Sequence, residues 1–336
     1  MRSRPGATRG PWACRARSSA IRREGSGRPP LCLGQPRLDL VAPRPYSARV
    51  LTLRYVLVDV FTENPLEGNP LCVFTDARAL TPEKMQALAR ELNLSETTFV
   101  LPPEQGGHAR VRIFTPEREL QFAGHPTLGT AFVLGGPMQI EDIRLELGVG
   151  IVPVHLEREA ARVSFGWMTQ PTPRPIAGPE QQPVLAALGL RSPPWAWQAY
   201  DNGGPRHLCV GVEDPALVSG LRPDFSALGR AWEFGVGVFH CGSGGLAAEA
   251  GPVCHARYFA PALGVNEDPA TGSFAGPLAL HLLRNGRLRP GEQLRIQQGA
   301  EVRRPSTLYA RVSADAEPRV EVGGCARIVA RGQFLI

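Results

Sequence analysis

Among its 37 lysine and arginine residues the chain has a single lysine, Lys84. The arginine excess looks like a codon bias toward G and C rather than a physical requirement. No run of eighteen apolar residues occurs, so no transmembrane helix and no membrane partner are expected. No GxGxxG or GxxxxGKS/T follows a strand-like run, which leaves dinucleotide and P-loop readings without support. Seven cysteines are scattered at Cys14, Cys32, Cys72, Cys209, Cys241, Cys254 and Cys325. None makes a CxxC pair or a metal-like spacing with histidine, so no metal site is expected. No secretory apolar segment is visible, and an odd cysteine count without one argues for reduced thiols in a cytoplasm. Cys72, Cys209 and Cys254 lie in strand-like runs and read as small buried hydrophobes.

A net charge of +6 is the other apparent signal, and it is local. Residues 1–53 hold eleven arginines against Glu24 and Asp39, which leaves the remaining 283 residues with about three excess negative charges. The body therefore offers no basic face for nucleic acid. Residues 1–53 read as a disordered basic N-terminal extension: rich in Arg, Pro, Gly and Ser, they lack the apolar residues needed to offset ordering entropy. An organellar transit peptide and a nucleic-acid or membrane arm are alternatives, although the prolines spoil an amphipathic helix. The preferred reading is a dispensable segment, or one translated from an upstream start. The body then opens near Leu51.

Within the body one pattern occurs twice. Arg112-Ile113-Phe114-Thr115-Pro116 leads, after a spacer, to Gly124-His125-Pro126-Thr127-Leu128-Gly129 and an apolar run to Leu134. Arg257-Tyr258-Phe259-Ala260-Pro261 leads to Glu267-Asp268-Pro269-Ala270-Thr271-Gly272-Ser273 and a run to Leu283. Each unit reads strand, turn, Gly with a polar residue, then apolar helix, which implies a duplicated domain. Taken alone, either helix start is an N-cap. Facing each other, two sets of unpaired helix-start amides make a site for one small anion.

The remaining order is strand-rich. Strands are expected at 55–61 and 71–74, and a helix capped by Thr81 with Pro82 at its first position runs to about Asn93. Glu96 precedes the strand-like Thr97-Thr98-Phe99-Val100. Exposed, it is a solvated loop acid; buried, its pKa rises into the range useful for proton shuttling. Residues 168–183, dense in Pro, Gln and Thr, read as a linker between domains at 54–167 and 184–336. Sheets curled around a few apolar helices suit this order better than a doubly wound fold.

Asp59-Val60-Phe61 with Gly68-Asn69-Pro70, Leu94-Ser95-Glu96-Thr97-Thr98-Phe99, Phe122-Ala123-Gly124-His125-Pro126-Thr127, Glu267-Asp268-Pro269-Ala270-Thr271-Gly272-Ser273, and Gln298-Gly299 with Arg304-Pro305-Ser306 resemble, in order, the motifs of the PhzF-like (phenazine-biosynthesis-like) family. The resemblance covers about residues 54–336. It implies an α+β, diaminopimelate epimerase-like fold: two similar domains, each a mixed β-sheet or barrel wrapped around a central α-helix, with the last strand returning to the first domain. It implies a cofactor-independent isomerase, with a site in the cleft, that moves a proton on a small unsaturated carboxylate. It also implies a homodimer. By resemblance Glu96 is the acid/base, His125, Asp268 and Ser273 line the substrate, and the turns at Gly124 and Gly272 hold its carboxylate. Segments 62–70 and 200–207 are expected to contribute specificity. A two-thiol epimerase on the same fold needs a cysteine at each helix start, where this chain has Ala123 and Ser273. A catalytically silent small-molecule or protein-binding member is the remaining alternative; such a module has no use for Glu96.

Overall fold

A computed structural model describes residues 50–242 and 251–336. The expectations for the basic extension therefore fall, up to residue 49, outside the described residues. The first half runs β1 (Thr52–Val60), β2 (Asn69–Phe74), α1 (Pro82–Leu92), β3 (Glu96–Leu101), β4 (Ala109–Phe114), β5 (Glu119–Leu120), α2 (Gly124–Met138), β6 (Asp142–Leu147), β7 (Gly150–Glu159) and β8 (Arg162–Gln170). After β9 (Arg174–Ile176) and α3 (Gln181–Leu188) come β10 (Ala196–Asp201), β11 (His207–Gly211), α4 (Pro215–Gly220), α5 (Phe225–Ala231), β12 (Gly235–Gly242) and β13 (Val253–Ala260). The chain closes with β14 (Val265–Asp268), α6 (Gly272–Arg284), β15 (Leu294–Gln298), β16 (Ser306–Val312), β17 (Val320–Gly324) and β18 (Ala326–Leu335).

The duplication is visible in the pairing. From β1 to β4 the ladders run antiparallel, parallel, antiparallel; α2 then crosses over so that β6 lies parallel to β4, and β7 and β8 follow antiparallel. From β10 to β13 the same succession appears; α6 crosses over so that β15 lies parallel to β13, and β16 and β17 follow antiparallel. Parallel neighbours need such a crossover, whereas antiparallel ones need only a turn. Strand β7 alternates buried and exposed residues along its length, as a strand with one face on a core must. Helices α2 and α6 are instead buried nearly all round. An apolar helix without a polar stripe is stable only when enclosed, and each is wrapped by strands of its own half. The halves are stitched by β8 against β17 and by β18 against β1.

Several local expectations are sharpened. Thr81 caps α1 by accepting from the Lys84 amide at 3.4 Å. Helix α2 extends to Met138, past the expected Leu134, with Pro137 in its last turn. Within 168–183, three residues finish β8, three form β9, and α3 begins at Gln181. Glu267-Asp268 is the end of a short strand rather than part of a turn, because Tyr258 of β13 pairs with Asp268 and Arg257 grips Glu267. The expectation of reduced thiols fails at one pair. Cys241 and Cys254 stand opposite each other in β12 and β13, 4.0 Å apart at Cα, and form a disulfide; the antiparallel register brings them together. Cys72 and Cys209 are free and buried, as expected.

Candidate active site

Alternation along β14 sends Glu267 and Asp268 to opposite faces. Glu267 makes a two-pronged ion pair with Arg257 (2.8 and 2.7 Å), and Arg257 also donates to the carbonyls of Val218 and Leu221. That pair anchors the strand, so the neighbouring carboxylate is aimed the other way. Asp268 is 8% exposed and collects three donors: Asn69 Nδ2 at 2.8 Å, Thr271 Oγ1 at 2.6 Å and Ser95 Oγ at 3.3 Å. Gln298 completes the support, donating to the Asp268 carbonyl at 2.7 Å and accepting from the Thr271 amide at 3.2 Å. Burial raises the Asp268 pKa to about 6, and the three donors hold it from going further.

Glu96 opens β3, and its side chain is 15% exposed. Among the described residues its carboxyl receives no hydrogen bond. The nearest partner is His125 Nδ1 at 3.6 Å, and burial drives the His125 pKa down to about 3, leaving that ring neutral. Burial, and then the charge of Asp268, push the Glu96 carboxyl well above the usual carboxylate range. Glu96 is largely withdrawn from water at the head of a buried strand, which departs from the reading of a solvated loop acid.

The two helix starts touch. A Cβ on Gly124 would lie 2.4 Å from the Gly272 carbonyl carbon and from the Ser273 nitrogen, so only glycine permits this approach. The leading amides of both helices precede the first intrahelical bonds and point out of the helix ends. Neither start is a simple side-chain cap: Ala123 and Thr271 make no capping bond, and the Thr271 hydroxyl is spent on Asp268. The prolines are placed to suit. Pro126, third in α2, removes an amide that had no partner in any case. Pro277 lies inside α6 and deprives the Ser273 carbonyl of its helical donor. Asn202 fills that vacancy at 2.9 Å, and Gln170 of β8 donates to the Gly272 carbonyl at 2.7 Å.

Glu96, Asp268 and Ser273 line one cavity of about 40 Å³, together with Thr115, Leu120, Pro205, Tyr258 and Thr271. His125 lies 3.6 Å from Glu96, and Gly124 and Gly272 form the contact between the helix starts. All six expected site residues thus converge. Of the segments expected to contribute specificity, 200–207 supplies Pro205 to the wall, while 62–70 supplies Asn69 to the Asp268 network. Sequence reasoning gave no role to Ser95, Gln170, Asn202, Tyr258, Thr271 or Gln298. Ser95, Tyr258, Thr271 and Gln298 lay inside motifs already singled out, and Asn202 inside the 200–207 segment; that adjacency was the available signal. Among the described residues no three His, Cys, Asp or Glu side chains group as a metal would require.

Residues 58–332 match the family model described as phenazine biosynthesis-like protein. The chain is 46% identical to trans-2,3-dihydro-3-hydroxyanthranilate isomerase of Pseudomonas aeruginosa, over 83% of its own length and 98% of that protein's. Its structure resembles a phenazine biosynthesis protein of the PhzF family from Bacillus anthracis, with TM-score 0.72 and 24% identity, covering 85% of this chain and all of the other. A hydroxyproline epimerase from Agrobacterium vitis shares the fold more distantly, with TM-score 0.58 and 15% identity over 86% and 93% of the two chains.

Proposed function

Because the chain belongs to the phenazine biosynthesis-like family and is an isomerase, we propose that Glu96 carries a proton from one ring carbon of a small unsaturated carboxylate to another. One observation carries the reading: among the described residues Glu96 is a carboxyl that receives no hydrogen bond, beside two converging helix starts and a second carboxyl that receives three. A base that must also return its proton works best with a pKa near the working pH, and withdrawal from water without compensation moves a carboxyl in that direction. Such catalysis contributes roughly 10²–10⁴-fold. The amides at Gly124 and Gly272, with the positive ends of both helix dipoles, bind the substrate carboxylate and stabilise charge that develops in the ring. His125, neutral and 3.6 Å from Glu96, and Asp268 orient the ring substituents. Ser273 supplies a hydroxyl at the second helix start. The compound named for the Pseudomonas relative, trans-2,3-dihydro-3-hydroxyanthranilate, is the first substrate to offer.

Proton exchange followed by NMR in D₂O tests the assignment, with wild type and Glu96→Gln offered the named compound and related cyclic amino and hydroxy acids. Deuterium incorporation or isomerisation that disappears in the variant is expected. Full activity in the variant removes Glu96 from the mechanism; ligand-induced shifts without exchange on any compound indicate a binding protein.

A further inference from the structure

One cavity-lining side chain has no part in the mechanism above. Tyr258 of β13 stands opposite Asp268 of β14 and lines the same cavity, only 3% exposed. Its position depends on a gap in the next strand. A Cβ on Gly235 of β12 would lie 1.7 Å from the Tyr258 hydroxyl, so the missing side chain is what admits the ring's polar end. There the hydroxyl meets Nδ1 of His207 at 2.7 Å, its one hydrogen bond among the described residues. His207 is fully buried, and among the described residues its Nε2 has no partner. Burial drives the His207 pKa down to about 3, so the ring is neutral and carries one N–H. If that N–H were on Nε2 it would be an orphaned buried donor, which is rarer in proteins than an unfilled acceptor. The proton therefore belongs on Nδ1, donated to the Tyr258 oxygen. Tyrosine has a single O–H, and it is left to point elsewhere. Pro205, two residues before His207, shares the cavity wall with Tyr258.

We propose that Tyr258 is a specificity-determining residue: held as an acceptor by His207, it donates its hydroxyl proton to an oxygen substituent on the ring of the bound carboxylate. This rests on the substrate class proposed above. Asp268, as a carboxylate, is suited to the amino substituent, so the two opposed side chains would tell a ring oxygen from a ring nitrogen. His207 is a positioning residue that sets which way Tyr258 donates.

Calorimetric binding of 3-hydroxyanthranilate and anthranilate, which differ by one hydroxyl, tests this on the full chain. Wild type is expected to prefer the hydroxylated compound by roughly three- to tenfold, the range of one neutral hydrogen bond. Tyr258→Phe is expected to abolish the preference while leaving anthranilate affinity unchanged. His207→Asn, which keeps a side-chain donor near the Nδ1 position, should retain the preference, and His207→Leu should weaken it at unchanged anthranilate affinity. A preference that survives in Tyr258→Phe overturns the inference and leaves the Glu96 assignment intact. If wild type binds neither compound, the proposed substrate class fails and this inference falls with it. Normal binding preference in Glu96→Gln accompanied by full turnover overturns the Glu96 assignment alone.

Discussion

At the head of β3, beside the neutral histidine at the start of α2, Glu96 stands without a donor among the described residues, whereas just before α6 Asp268 gathers Asn69, Thr271 and Ser95 around one carboxylate. Both acids are buried against the same cavity, and both are raised from their ordinary values. They differ in what replaces the lost water. Hydrogen bonds to the charged form restrain Asp268 at about 6, and their lack lets burial act on Glu96 unopposed. A duplicated framework has thus been filled unequally, with one half presenting a group free to gain and lose a proton and the other a group held in place. Pairs of acids driven apart by environment commonly divide the work in this way.

The largest effect should come from removing the free member. Glu96→Gln is expected to lower kcat by roughly 10²–10⁴-fold with substrate affinity retained, measured by steady-state rates and calorimetry. Next is the contact between the halves. Gly124→Ala drives a methyl into the α6 backbone, and should cost about 1–3 kcal/mol in denaturant unfolding and roughly 10²-fold in kcat as the helix starts move apart. Gly136→Ala in the same helix meets nothing within 4 Å and serves as the control.

Asp268→Asn sharpens the comparison through pH. Glu96 acts as a base only when ionised, and the negative charge of Asp268 opposes that ionisation. A neutral side chain removes the opposition, so the rising acidic limb of kcat/KM, followed in the residual activity, should move to lower pH. A limb that stays in place, or moves up, breaks the proposed coupling. The same substitution acts on stability. An acid with a folded pKa raised to about 6 favours the folded state while protonated, and that advantage is lost as pH rises through about 6. The decline in Tm from pH 4 to pH 7 should therefore flatten in Asp268→Asn.

The smallest expected effect concerns support for the second helix start. Asn202→Leu leaves the Ser273 carbonyl without a donor and should cost about 1–3 kcal/mol in thermal or denaturant unfolding. Pro277→Ala restores a helical N–H to that carbonyl, so the double variant should lose much less than the sum of the two single ones.

Glu96, the twin Gly turns and the apolar helices were legible because each is a local pattern: an acid before a strand, a glycine at a helix start, apolar residues with no polar stripe. The conformation around them was less so. Asn69 and Asp268 are 199 positions apart and Tyr258 and His207 are 51 apart, and no periodicity in a single chain joins them. Pro277 was in plain view, but the need it creates at Ser273 is met by a residue 71 positions upstream. The disulfide was hidden for the same reason, because the register of β12 on β13, not cysteine spacing, makes it. Gly235 stands out only in the structure. Its use appears once the Tyr258 ring is seen to occupy the space.

Strand β1 lies between β2 and β18, with Thr52 beside Leu335. During synthesis β1 leaves the ribosome among the first of the described elements, yet its second neighbour is the last to be made. The sheet around α2 therefore waits for nearly the whole chain, holding one edge of β1 unpaired for the interval, whereas the β11–β13 region can pair as soon as it emerges. Vectorial folding of this kind puts the nascent protein at risk at its beginning, and a chain cut short before β18 would carry a first half with an open edge.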